Sequence, residues 1–142
     1  ARYETILEEY SKTLNIEALT MSEMTRQDIL PAVSAYIASL ADAVASKRAV
    51  IAGLPCAAET SLIQKLSGLL DSAYEKVEAL DALVTDGKAS EYDHNTLRVA
   101  TYYKDKIIPA MNELRAVVDQ MEVDTSAAFW PYPSYGDLMF RV

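Results

Sequence analysis

Apolar side chains recur at three- and four-residue intervals along most of this chain, the spacing that puts them on one side of a helix. In a first segment, residues 2–52, Ile6, Tyr10 and Leu14 mark one such side. Further on, Ile29, Val33, Ile37, Leu40 and Val44 continue with helical spacing. One unbroken helix of that length would span roughly 75 Å. That is long for a small domain, so a bend or break is expected between Thr20 and Pro31. Pro31 brings no amide hydrogen and frees the carbonyl of Gln27, which favours a kink there. Gly53-Leu54-Pro55 reads as a stop followed by a start, because Gly suits the left-handed position after a helix and Pro suits a first turn.

A second helix is predicted over residues 55–84, with Leu62, Leu66, Leu69, Ala73, Val77, Leu80 and Val84 as its buried stripe. Thr85-Asp86-Gly87-Lys88 should end it. A third is predicted over 90–123, striped by Val99, Tyr103, Ile107, Met111, Leu114, Val118 and Met121. Ser90 with Asp93 resembles a capping box at its start, and Pro109 should kink it near Asp105. Ile29-Leu30-Pro31-Ala32 is echoed by Ile107-Ile108-Pro109-Ala110. Two kinked helices could curve around each other, although chance recurrence of four residues is the simpler explanation.

The expected fold is all-α: an antiparallel bundle of three long helices, the first kinked or broken and countable as two, which makes four. Short connections at 53–55 and 86–89 force neighbours to run antiparallel. Residues 1–124 form the bundle domain and 125–142 an irregular tail. Phe129, Trp130, Tyr132, Tyr135 and Phe140, broken by Pro131 and Pro133, hold too much apolar surface to leave in water. The tail must dock, on its own bundle or on a neighbouring domain, and self-docking is the favoured expectation.

Charge narrows the function. Net charge is −8, with no basic block, so a nucleic-acid partner lacks the positive surface it needs, and an anionic membrane is disfavoured for the same reason. No apolar run reads as a membrane span. The single cysteine, Cys56, fits a reducing, cytoplasmic setting. The start at Ala1 carries neither an initiator Met nor a signal-peptide pattern and enters helical sequence at once, so a piece of a longer chain is expected.

Candidate chemistry is thin. Glu91 and His94 make one Glu-x-x-His, but a di-metal bundle needs that motif twice with two further Glu, and the chain has 1 His. His94 is better read as a polar residue in a helix's first turn. Cys56 could be activated only by that His, and reads as a small hydrophobe near a helix start. No phosphate-cradling glycine loop occurs. Paired carboxylates such as Asp71 with Glu75, and Glu78 with Asp81, suit solvated helix faces. Glu17 sits beside the apolar stripe, where Arg2, Arg26 or Arg115 is the expected partner. Arg26, Asp28 and Asp105 flank the two proline sites and either link the kinked helices or face water.

Several stretches carry a resemblance. Asn15-Ile16-Glu17-Ala18-Leu19-Thr20-Met21 with Asp28-Ile29-Leu30-Pro31-Ala32, the opening Arg2-Tyr3-Glu4 and Leu7-Glu8-Glu9-Tyr10, and Ile108-Pro109-Ala110-Met111 with Leu114-Arg115 and Asp119 resemble the region after the catalytic domain of type III glutamine synthetases. The ending Trp130-Pro131-Tyr132-Pro133-Ser134-Tyr135-Gly136-Asp137-Leu138-Met139-Phe140 is the most specific piece, similar to that family's closing pattern. The resemblance implies a full-length enzyme that joins ammonia to glutamate with ATP and a divalent metal, Mg or Mn, and assembles as a homo-oligomer of stacked rings. It implies that catalytic and metal residues lie in a catalytic domain of the same chain, upstream, so none is assigned here. Glu17, Pro31, Pro109, Trp130, Tyr132, Tyr135 and Phe140 are the structural or interaction candidates. The expected role is a non-catalytic helical module for subunit stability or oligomer assembly. The alternative is a stand-alone interaction module whose groove, lined by Met21, Met24, Met111 and Met121, accepts a partner helix.

Overall fold

The computed structural model describes residues 2–90 and 95–133, apart from the side chains of 88–90. Three helical runs pack together. α1 (Arg2–Met24) passes through a π turn, Thr25–Ile29, into α2 (Leu30–Val50). α3 (Ala57–Ser90) returns, and α4 (Thr96–Tyr102) passes through a second π turn, Tyr103–Ile107, into α5 (Ile108–Asp124). No strand occurs among the described residues, so the all-α expectation holds.

The expected break in the first run is a widened turn, and the helix continues through it. The Leu30 amide reaches back to the Thr25 carbonyl, one residue further than an α-helix allows. The Pro31 ring then follows a wide turn, where a regular helix would drive it into the preceding carbonyls. Ile108 bonds Tyr103 in the same way, one residue before Pro109. The four-residue echo therefore marks one local structure used twice, which argues against chance. Each turn begins on a buried side chain, Thr25 or Tyr103, and ends on a buried isoleucine, Ile29 or Ile107. The Thr25 hydroxyl also donates to the Met21 carbonyl at 2.8 Å, a back-bond that commonly accompanies helix irregularity.

Cross-helix contacts fix the directions. Lys47 meets Glu59 near one end of α3, while Ser22 and Arg26 meet Asp81 towards the other. Lys65 pairs with Asp124, and Lys76 with Glu113. α3 is thus antiparallel to both proline-bearing runs, which lie parallel to each other. The core joins Ile29 and Val33 of the first run, Leu66, Ala73, Val77, Leu80 and Val84 of α3, and Val99, Tyr103, Ile107, Met111, Leu114 and Met121 of the third.

Four local expectations need correction. Ile6 and Tyr10 are 57% and 38% exposed; α1 buries Ser11, Ala18 and Ser22 instead, and only Leu14 of the proposed stripe packs on the core. Small side chains let the helices approach closely. Moreover, the 49-residue first run is longer than the 34-residue α3, and α1 packs on α4 as well as on α3. Second, Gly87 lies inside α3, which continues to Ser90. A Cβ there would come within 3.1 Å of the Tyr102 ring and 3.3 Å of the Tyr103 hydroxyl, so close approach is the reason for glycine. Third, the capping box is replaced by Asn95, whose side chain accepts from the Arg98 amide at 3.1 Å; Asp93 lies outside the described residues. Fourth, α2 belongs to a run long and apolar enough, by length and composition, to cross a membrane, contrary to the sequence reading. That is weak evidence of insertion, because the Val33, Ile37 and Leu40 side of α2 joins the bundle core. The first connection behaves as expected at Gly53, with φ +76°, but α3 starts at Ala57, after Pro55.

Candidate functional site

Three features of this bundle carry surface chemistry: a polar node at the first π turn, an open groove beside it, and the uncovered start of α1. At the node, Arg26 donates to Asp81 Oδ2 from Nε at 2.9 Å and from Nη2 at 2.6 Å, and Nη2 reaches Glu78 Oε1 at 2.7 Å. Ser22 donates to the other Asp81 oxygen at 2.5 Å. The turn faces Arg26 towards α3, and the guanidinium fork matches the carboxylate edge. The hydrogen bonds that Arg26 donates to Glu78 and then to Asp81 raise its pKa, against the opposing effect of burial.

The same turn receives the tail. Phe129 lies against Tyr36 with ring centroids 5.2 Å apart, and Trp130 and Tyr132 pack on the core. The Tyr132 hydroxyl donates to Asp28 Oδ2 at 2.6 Å. Burial first, then the Asp28 hydrogen bond, pushes the Tyr132 pKa up to about 12. Through Tyr132, then, the tail folds back along α2.

Beside the node, α1, the first π turn and α5 leave an open groove of about 500 Å³. Met21, Met24, Ile29, Met111, Leu114 and Val118 line it, and Glu17 and Arg115 contribute charge. Met121, expected there, is wholly buried in the core. At the start of α1, Tyr3 is 63% exposed, and Ile6 and Tyr10 stand out on the same side.

The interaction candidates separate accordingly. Glu17 is exposed in the groove and forms no ion pair among the described residues; Arg26, one expected partner, is held by Glu78 and Asp81. Arg115 shares the groove with Glu17 but does not pair with it. Pro31 and Pro109 are exposed just beyond their π turns. Trp130 and Tyr132 are half-buried, whereas Tyr135, Phe140, Glu91 and His94 lie outside the described residues. Cys56 is buried at the start of α3. Sequence reasoning missed the link between Ser22, Arg26 and Asp81. Both halves were visible, but nothing in one sequence gives the register that joins them.

Among the described residues no cluster of His, Cys, Asp and Glu is arranged to hold a metal ion. The densest acidic pair, Glu78 with Asp81, already has its cation in Arg26. The described residues therefore do not fit the divalent metal that the sequence resemblance implies for a whole enzyme, and no chemical step follows from them.

Fold and surface together describe an all-α bundle along which Phe129, Trp130 and Tyr132 fold back. Residues 1–48 match the family model described as the glutamine synthetase C-terminal domain. The chain is 35% identical over 142 residues to a glutamine synthetase of Butyrivibrio fibrisolvens, covering 100% of this chain and 20% of that protein. It is 28% identical over 144 residues to the type-3 glutamine synthetase of Dictyostelium discoideum, covering 99% of this chain and 19% of that one. A glutamine synthetase of Bacteroides fragilis is 23% identical over 147 residues, covering 98% and 19%. The chain thus matches the C-terminal region of type III glutamine synthetases, and it spans about a fifth of the length of these relatives.

Proposed function

We propose that this chain is the C-terminal helical module of a glutamine synthetase, supplies no catalytic or metal-binding group itself, and stabilises the subunit or its assembly. In this reading a catalytic domain in the rest of a longer, cytoplasmic polypeptide joins ammonia to glutamate with ATP and Mg or Mn, and the subunits form a homo-oligomer. The observation that carries the reading is the uncovered start of α1. Tyr3, Ile6 and Tyr10 lie at 63%, 57% and 38% exposure on one side of a helix. Fully burying such a side chain stabilises by about 1.5–3 kcal/mol, so this face is suited to pack on a larger body.

The test uses the longer polypeptide with Ile6→Lys and Tyr10→Lys combined. The expected result is a lower melting temperature or partial loss of the oligomer in light scattering, with KM for glutamate unchanged. Assembly and stability equal to the parent would sink the reading, as would turnover by the isolated chain with glutamate, ammonia and ATP. The Met21, Met24 and Met111 lining favours a second reading, a free-standing module that binds a partner helix. A reading frame that begins with its own Met and encodes no catalytic sequence upstream would select it.

A further inference from the structure

We propose that the groove between α1 and α5 docks a cationic amphipathic helix of a separate protein. The proposal rests on the groove of the second reading above and names its partner's chemistry, but it does not need a free-standing chain.

The shape of the groove calls for a helix. It lies between two parallel runs and follows the first from Ile16 to Ile29, roughly 20 Å at the helical rise, or about four turns. Its floor is apolar, built from Met21, Met24, Met111, Leu114 and Val118. A floor of side chains between two helices takes up the apolar stripe of a third. The backbone of both walls is committed to helical hydrogen bonds, so an extended segment has no edge to join there.

Charge decides which helix. Within the groove lining, one acid, Glu17, is matched by one base, Arg115. Around them the mouth is acidic. Glu23 follows Ile16 by seven residues, and on α5 Asp119 follows Arg115 by four and Glu122 follows Val118 by four, spacings that return to the same side of a helix. All three are exposed, and none is in an ion pair among the described residues. Lys12, Lys104 and Lys106 come before the groove on their runs, so its acidic end is the one towards the first π turn. Lys or Arg on the flanks of a docked helix complements this mouth. A second copy is a poor occupant, because each copy carries a net charge of −8. Permanent interfaces are the more apolar ones, whereas a charged mouth over an adaptable methionine floor suits a partner that comes and goes.

Fluorescence anisotropy of two labelled peptides tests this, on the complete polypeptide and on this chain alone. Both peptides carry one leucine stripe along about four helical turns; one has Lys on its flanks and the other Gln. The Lys peptide is expected to bind roughly tenfold tighter, a margin that shrinks with added salt. Glu17→Lys with Glu122→Lys should remove that margin. Asp42→Lys with Glu75→Lys, the same change of charge at two exposed sites outside the groove lining, should keep most of it. Equal affinities for the two peptides, or equal losses from the two double variants, overturn the proposal. So does binding to this chain alone but not to the complete polypeptide, which would make another part of that polypeptide the occupant. Equal affinities still leave the groove a helix site, so the second reading survives them, whereas failure of both peptides to bind removes both ideas. None of these results touches the assembly test of the α1 face.

Discussion

The two π turns share a sequence echo and a backbone but have different surroundings. Thr25–Ile29 is wired to the rest of the molecule. Arg26 holds Glu78 and Asp81 of α3, and Asp28 accepts from Tyr132 of the tail. Tyr103–Ile107 is held mainly by packing, with the Tyr103 hydroxyl donating to Asn15 Oδ1 of α1 at 3.4 Å. Tyr103 and Ile107 are wholly buried, while Lys104, Asp105 and Lys106 are exposed and unpaired among the described residues. The isoleucine–X–Pro–Ala signal goes with the irregular turn, and tertiary partners decide whether that turn becomes a junction or a spacer.

The largest effect should separate the turns at their first residue. Tyr103→Ala empties a fully buried aromatic site and is expected to cost about 3–5 kcal/mol in urea unfolding. Thr25→Ala, at the matching position, loses one methyl and one back-bond and should cost about 1 kcal/mol. Equal losses would show that the turns are embedded alike.

Next comes the wiring. Asp81→Ala leaves Ser22 and Arg26 without their shared acceptor and is expected to cost about 1–2 kcal/mol, a value held down by the half-exposed setting of the pair. Added salt should shrink the effect of the mutation. Asp105→Ala at the second turn should stay within about 0.5 kcal/mol of the parent. A loss at Asp105 as large as that at Asp81 would erase the distinction between junction and spacer.

A smaller effect appears with pH. Tyr132 has its pKa raised to about 12 by burial and by the Asp28 bond, against about 10 for an unfolded tyrosine. The unfolded chain therefore loses this proton first. The contribution to stability is full below about pH 10 and disappears as pH rises towards about 12. Tyrosinate absorbance should lose one late-titrating group in Tyr132→Phe, while Tyr102, whose pKa burial also raises, still titrates late. Tyr132 bonds Asp28 of the first turn, so Tyr132→Phe should leave the second turn undisturbed.

These contrasts follow what the sequence made legible. The α3 and α5 stripes, from Leu66 to Val84 and from Tyr103 to Met121, were readable because large apolar residues repeat at helical spacing and nothing competes with that signal. The α1 interface was not, because it is built from Ser11, Ala18, Ser22 and Thr25, which carry little hydrophobic signal, while Ile6 and Tyr10 carry more and face outward. Gly87 was misread because the same residue serves a helix end and a close helix approach, and only the Tyr102 and Tyr103 rings distinguish the two. That Phe129, Trp130 and Tyr132 call for cover was legible from their apolar side chains; the anchor of Tyr132 on Asp28 was not, because that contact joins positions 104 residues apart.

The smallest expected effect tests the small-residue interface itself. Ser11 and Ser22 are both buried on α1, at 8% and 7% exposure. Ser22 donates to Asp81, whereas the Ser11 hydroxyl has no hydrogen-bond partner among the described residues. An unpartnered buried hydroxyl carries a desolvation cost with nothing to offset it, and alanine is the better helix former. Ser11→Ala should therefore leave stability unchanged or raise it by up to about 1 kcal/mol, while Ser22→Ala should lower it by about the same amount. If Ser11→Ala destabilises in urea as much as Ser22→Ala does, the hydroxyl at 11 makes a contact that matters, and the near end of α1 is wired after all, as the first π turn is.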